Sequence, residues 1–321
     1  MIGPPRFLAA ALTLLSGAVC SALADSRLDV EYAEIQPLAA ESVLLDVTRV
    51  GDRLVAVGER GHVVWSEDAQ KWQQAENVPT RSTLTTVFAL GERLWAAGHD
   101  AVILTSGDHG RTWTREHFDP EGEQAVMDLH FTDEQNGVAI GSYGLYLVTS
   151  DGGATWEAGV VDEENEYHLN AMVRFPDGVR LIAGEAGYSY RSLDDGVSWQ
   201  PLELPYDGSM WGAIITSRGC AVFYGLRGHV LQSCDAGENW VELESGSLVS
   251  LSGAAEHQGM LVFAGNSGTV LTWAGGGFTG HQHSSGMDFA AALPLNGGRF
   301  LLVGEQGVHQ FPEGNGERDD R

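Results

Sequence analysis

Seven glycines set a clock along this chain. Gly58, Gly98, Gly141, Gly184, Gly225, Gly265 and Gly304 each end a short apolar stretch, and the steps between them are 40, 43, 43, 41, 40 and 39 residues. A second glycine follows three positions later at Gly61, Gly144, Gly187, Gly228, Gly268 and Gly307, with Ala101 standing in once. Each pair reads as a β-hairpin turn. Leu54 to Val57 runs into the first turn and His62 to Trp65 leaves it, and a tight loop closing on a residue with positive φ favours glycine there. A period near 40 with short strands gives four strands per blade of a β-propeller, and seven hairpins give seven blades. The fold expected is an all-β seven-bladed propeller.

A second motif follows each hairpin. Ser106 to Trp113 reads SGDHGRTW, Thr149 to Trp156 TSDGGATW, Ser192 to Trp199 SLDDGVSW and Ser233 to Trp240 SCDAGENW. Trp65 to Trp72 and Leu271 to Phe278 are decayed copies. The chemistry is local: Asp108, Asp151, Asp194 and Asp235 can accept hydrogen bonds from turn N–H groups, glycine takes the strained angle, and Trp113, Trp156, Trp199 and Trp240 fill the core. This is the Asp-box, or BNR, repeat. Its combination with the glycine turns resembles the photosystem II assembly/stability-factor propellers, and more closely their non-photosynthetic bacterial relatives, over residues 28–312. WD40 repeats share the period, but no copy carries their Trp-Asp dipeptide.

The last hairpin, Arg299 to Phe311, is followed only by a polar, Gly-rich tail. Blade seven therefore lacks an outer strand of its own. Tyr32 lies 26 residues before Gly58, as Trp72 does before Gly98 and Trp199 before Gly225. Leu28 to Leu38 is thus expected to complete blade seven and close the ring by pairing its open edge. In blade five, counting outward from Gly225 facing His229 puts Cys220 opposite Cys234, so a disulfide between them is expected; the alternative is two buried thiols.

Arg6, the apolar run Phe7 to Ala18 and the Ala22-Leu23-Ala24 site read as an export signal over residues 1–24. A lipoprotein anchored through Cys20 is the runner-up. The propeller then spans 25–312 and the tail 313–321. The chain carries 18 basic against 44 acidic residues, net −26, which argues against nucleic acid as partner. No later stretch is apolar enough to cross a membrane, and a periplasmic or extracellular monomer is expected.

Catalytic chemistry finds little purchase. The Asp-box carboxylates recur once per blade on one rim, whereas a glycosidase needs two converging on one substrate. Asp46 and Asp128 fall on innermost strands and could line the channel, as solvated residues or as an acid pair. A sialidase needs an Arg-Ile-Pro motif that this chain lacks. His281 and His283 lack the further ligands a metal site requires, so no metal and no cofactor are expected. The opposite rim gathers Arg60, His99, Asp100, Tyr143, Glu185, Arg227 and Glu305 in its turns, and Tyr167, His168, Tyr206, Trp211 and the run Asp162-Glu163-Glu164 in its loops. Such mixtures suit protein recognition, with Arg60, His99, Asp100, Tyr143, Tyr206, Trp211 and Arg227 the foremost candidates. The resemblance implies a non-catalytic exported scaffold that assists assembly of a membrane-associated complex. The photosynthetic members' basic patch is missing, so their chlorophyll-protein partner does not carry over. A carbohydrate-active hydrolase is the alternative.

Overall fold

The computed structural model describes residues 30–313 and, besides these, Gly3; the expected signal segment and the tail beyond Glu313 lie outside the described residues. Seven antiparallel sheets follow one another along the chain, six of four strands and the last of three, each in simple meander order. Blade one is typical, with Leu44–Val50 innermost, then Arg53–Gly58, Val63–Ser66 and the short outer strand Gln73–Gln74. The second strand of every blade is almost wholly buried, as in Arg53–Gly58, Gly137–Gly141 and Ala221–Gly225. It is sandwiched between neighbouring sheets and so carries apolar residues on both faces. The core divides accordingly into seven clusters, one at each blade-to-blade junction.

Two different constraints explain the paired glycines. The first glycine has extended backbone, but a Cβ on Gly58 would sit 2.0 Å from the Val43 carbonyl oxygen, and one on Gly98 2.0 Å from that of Thr83. No side chain fits there. The second position is the left-handed one: Gly61 has φ 71° and Ala101, the substitute, φ 47°. The residue before it is also left-handed, including Arg60, Asp100, Tyr143 and Arg227 at φ 57°, 59°, 53° and 56°, an uncommon state for non-glycine residues.

Every innermost strand carries a β-bulge beside the first glycine. In blade one the register passes from Leu44 opposite Gly58 to Asp46 opposite Val57, skipping Leu45. The same skip leaves out Thr85, Met127, Asn170, Trp211, Ser252 and Ala290. Bulges re-aim side chains, and these residues line the central channel.

The ring closes without the expected strand. Of the expected strand Leu28 to Leu38, residues 28 and 29 lie outside the described residues and 30–38 form no strand; among the described residues blade seven consists of Phe289–Pro294, Phe300–Gly304 and Gly307–Phe311. The N-terminal segment lies instead against blade one and the link to blade two. Ala33 N donates to Val78 O (2.9 Å), and Arg81 reaches Tyr32 O (3.1 Å) and Glu34 Oε1 (2.8 Å). The physical reason is that the polar segment finds partners in Gln74 and Arg81, and the 26-residue spacing of Tyr32 sets a distance along the chain, not a sheet. The seam between blades seven and one is apolar, with Leu44, Val47, Leu54, Ala56, Leu301 and Val303 in one cluster. It is bridged by Arg49 Nη2 to Pro294 O (3.2 Å) and Gln310 Nε2 to Ala69 O (3.2 Å).

In blade five Ala221 pairs with Ser233. The next pair outward is Cys220 and Cys234, which are disulfide-bonded with Cα atoms 4.1 Å apart.

Candidate functional site

The Asp-box carboxylates are turn anchors. Asp194 Oδ1 accepts from Ser198 N (2.9 Å) and Ser192 Oγ (2.7 Å), and its Oδ2 from Ser198 Oγ (2.6 Å). Asp151 is held likewise by Thr155 and Thr149, Asp235 by Asn239 and Ser233, and Asp108 by Arg111, Thr112 and Ser106. Hydrogen bonds from the partner side chains Thr155, Ser198 and Asn239 hold Asp151, Asp194 and Asp235 down at about 2. Even the decayed copy keeps this anchor, with Asp68 accepting from Gln70 N and Lys71 N.

Three of the boxes also receive a hydrogen bond from the blade before them. Arg53 donates to His109 O (3.1 Å), Trp95 Nε1 to Gly152 O (3.0 Å) and Tyr146 OH to Gly196 O (2.9 Å). The Gln310 bond to Ala69 O is the same device at the seam. The box tryptophans pack at these junctions: Trp113 is buried in the cluster between blades one and two, and Trp156, Trp199 and Trp240 lie against Phe131, Tyr146 and Phe223.

The channel is a polar cavity of ≈ 290 Å³. Asp46 Oδ2 accepts from Val87 N (2.8 Å) and Thr86 Oγ1 (3.2 Å), while Asp128 Oδ2 accepts from Met172 N (2.7 Å). Each carboxylate thus staples its blade to the next. Tyr224 lines the same channel, beside Ala254 of the next blade. It reaches the channel because a Cβ on Gly212 would stand only 2.2 Å from its ring. Sequence reasoning missed Tyr224, since it sits on a second strand; the Trp211-Gly212 pair on the inner strand was the available clue. Burial pushes Asp46 up to about 6 and, with added repulsion from Asp46, Asp128 up to about 7.

Sequence reasoning also missed a charged cluster on the Asp-box rim between blades three and four. Asp195 Oδ1 takes both Arg174 Nε (2.7 Å) and Arg180 Nε (2.8 Å) beside a depression of ≈ 670 Å³. These residues fall outside the repeated motif positions, except that Asp195 replaces the variable box residue.

The opposite rim carries the recognition candidates, spread from blade one to blade five. Arg60 is exposed and its Nε stands 4.0 Å from Glu59. His99 is exposed, and Asp100 Oδ2 accepts from Ser82 Oγ (2.6 Å). Tyr143 meets His168 edge-on at 4.9 Å, Tyr167 stacks on Tyr188 at 3.9 Å and Tyr206 on His229 at 3.6 Å. Arg227 is an exposed turn tip, and Trp211 lines the channel mouth. Arg60, His99 and Asp100 are therefore not gathered with the aromatic residues, which concentrate on blades three to five. His281 and His283 sit apart: His281 Nε2 bonds Thr272 Oγ1, and His283 bonds Ser285 and Gln310 O. Among the described residues no group of three His, Cys, Asp or Glu is placed to hold a metal ion.

The profile of the family described as photosynthesis system II assembly factor YCF48 matches residues 116–286, more than half of the chain. The chain belongs to this family. Among curated relatives, the photosystem II assembly lipoprotein Ycf48 of Synechococcus sp. (strain CC9902) is 32% identical over 127 residues, covering 38% of each chain. The photosystem II stability/assembly factor HCF136 of Arabidopsis thaliana is 22% identical over 254 residues, covering 65% of this chain and 62% of its own. The match thus spans less than two thirds of either relative. Among solved structures, YCF48 bound to D1 peptide superposes with TM-score 0.69 at 17% identity, covering 88% of this chain and 98% of that one. YCF48 from Cyanidioschyzon merolae superposes with TM-score 0.67 at 15% identity, over 87% and 97%. At such identities the YCF48 structures bear on fold, and they agree with the seven-bladed architecture built up above.

Proposed function

We propose that this chain is an exported, non-catalytic scaffold that binds a polypeptide of a membrane-associated or envelope protein and assists its assembly or stability. One observation carries the reading. The carboxylates that an enzyme of this architecture would use, on the boxes and in the channel, accept main-chain N–H groups, whereas the aromatic pairs Tyr143–His168, Tyr167–Tyr188 and Tyr206–His229 collect on the opposite rim. The family supports it: its description is that of an assembly factor, and a solved relative holds a peptide. The disulfide supports an oxidising compartment, and among the described residues no helix is long and apolar enough to cross a membrane.

The test is photo-crosslinking of the exported protein in the envelope, from positions on each rim, alongside a panel of aryl glycosides and polysaccharides. A defined crosslinked protein and no hydrolysis are expected. Asp128 near pH 7 beside a lower Asp46 is the acid–base pairing a hydrolase would want. Glycoside hydrolysis that vanishes in Asp46→Asn or Asp128→Asn would therefore replace the scaffold reading with the hydrolase one.

A further inference from the structure

We infer that the glycine-turn rim of blades three to five, running into the channel mouth at Trp211, is the docking surface, and that it takes an extended, basic polypeptide segment. The inference rests on the scaffold reading and names where and what the scaffold binds.

Three observations converge on this sector. The first is the aromatic side chains. The pairs Tyr143–His168, Tyr167–Tyr188 and Tyr206–His229 follow one another on consecutive blades. Tyr143 is 57% exposed and Trp211 37% exposed. Rigid aromatic groups held half-open by a neighbour are what interface anchors are made of, because little side-chain entropy remains to be lost. The second is rigidity. The loops bearing these rings are hydrogen-bonded to the turns: Gly144 N donates to Tyr167 O (3.1 Å), Glu185 N to His168 O (3.0 Å), Leu226 N to Ser209 O (3.0 Å) and Ala186 N to Ser209 Oγ (3.1 Å). The surface is preformed.

The third is charge, and it selects the partner. Loops 161–168 and 202–209 together hold six carboxylates and neither lysine nor arginine. Glu163, Glu164, Glu166, Glu203 and Asp207 are exposed, and Arg227 is the basic residue at the sector's turn tips. Beyond Trp211 the channel offers Asp46 and Asp128, the latter with no cationic side chain bonded to it among the described residues. At the rim an approaching chain meets predominantly negative charge, with aromatic faces on which an ammonium or guanidinium can rest. An acidic segment would be repelled along the same path.

The probe is a fluorescently labelled nine-residue peptide of alternating lysine and valine, blocked at both ends, beside the same peptide with glutamate for lysine. Anisotropy with the full mature chain should show binding of the lysine peptide alone, weakening with salt. Trp211→Ala and the pair Glu163→Gln/Glu164→Gln should each weaken it by about tenfold or more. Asp52→Asn/Glu134→Gln removes the same charge from the opposite rim, where both residues are exposed, and should change binding less than about twofold, the scale of a remote screened charge. Equal losses from the two neutralised pairs, no loss with Trp211→Ala, or equal binding of the glutamate peptide would overturn the assignment.

A photo-crosslinking residue in place of Tyr143, compared with one in place of Val197 on the Asp-box rim, separates the two levels. Crosslinks to a basic segment of one protein from Tyr143 support the inference. Crosslinks from Val197 alone overturn it and leave the scaffold reading standing; none from either position, with glycoside hydrolysis present, removes both.

Discussion

At the scale of the residue, the two glycines of each repeat make separable predictions. Gly58→Ala should cost more than about 3 kcal/mol in denaturant unfolding, because the new Cβ meets main chain that cannot move aside. Ala101→Gly should be neutral to stabilising by about 1 kcal/mol, since it relieves a left-handed alanine while adding freedom to the unfolded chain. A tolerated Gly58→Ala would show that the second strand can draw away from the bulge. Both glycines were legible from spacing alone, though only the second for its φ. The reason for the first, backbone pressed on a neighbouring carbonyl, lies between segments that no local pattern connects. Tyr224 was illegible for a related reason. Its route to the channel depends on the missing side chain of Gly212, on a different strand.

At the scale of the element, hairpin counting found the Cys220–Cys234 pair because hairpin register follows from turn length. Reduction should lower unfolding stability by about 3 kcal/mol for a loop of this size, read from denaturant midpoints of the oxidised and reduced chains. The N-terminal segment shows where counting stops working. Its register with blade seven was inferred from a distance along the chain, but Tyr32 stands 51% exposed and its carbonyl answers Arg81. A chain beginning at Leu38 should therefore keep a cooperative thermal transition, losing the buried Ala33 and its neighbours' hydrogen bonds. One beginning after Leu44, which is fully buried in the seam, should not. Equal damage from both truncations would restore a structural role for the segment upstream of residue 38.

At the scale of the whole molecule, two sets of carboxylates pull stability in opposite directions with pH. Asp46 and Asp128 hold their protons more tightly folded than unfolded, with folded values of about 6 and about 7 against a reference near 4. The unfolded chain ionises first, so their contribution falls as pH rises from about 4 and is fully lost above about 7. The box residues Asp151, Asp194 and Asp235 sit at about 2. Their contribution is present above the unfolded value and disappears as pH drops from about 4 through 2. Melting temperature should accordingly peak in mildly acidic buffer, at about pH 4–5. Asp128→Asn should melt lower overall, having one acceptor oxygen where two are used, but with a flatter decline between pH 5 and 8. An unchanged slope in that variant would mean the channel carboxylates titrate normally.

The seam also bears on how the chain is made. A ribosome releases Leu44 and Val47 long before Leu301 and Val303, the residues that cover them. Through the synthesis of six blades the apolar flank of the first one has no mate, because among the described residues no strand is exchanged across the junction to hold the two ends in register. A nascent chain of this design is sticky at one fixed place for nearly its whole elongation, the situation in which holding factors are recruited. The strands of blade seven then finish the ring against blade one. A chain truncated just before residue 289 should leave six blades that aggregate through blade one. One that runs on through residue 311, with the final hairpin present, should no longer do so.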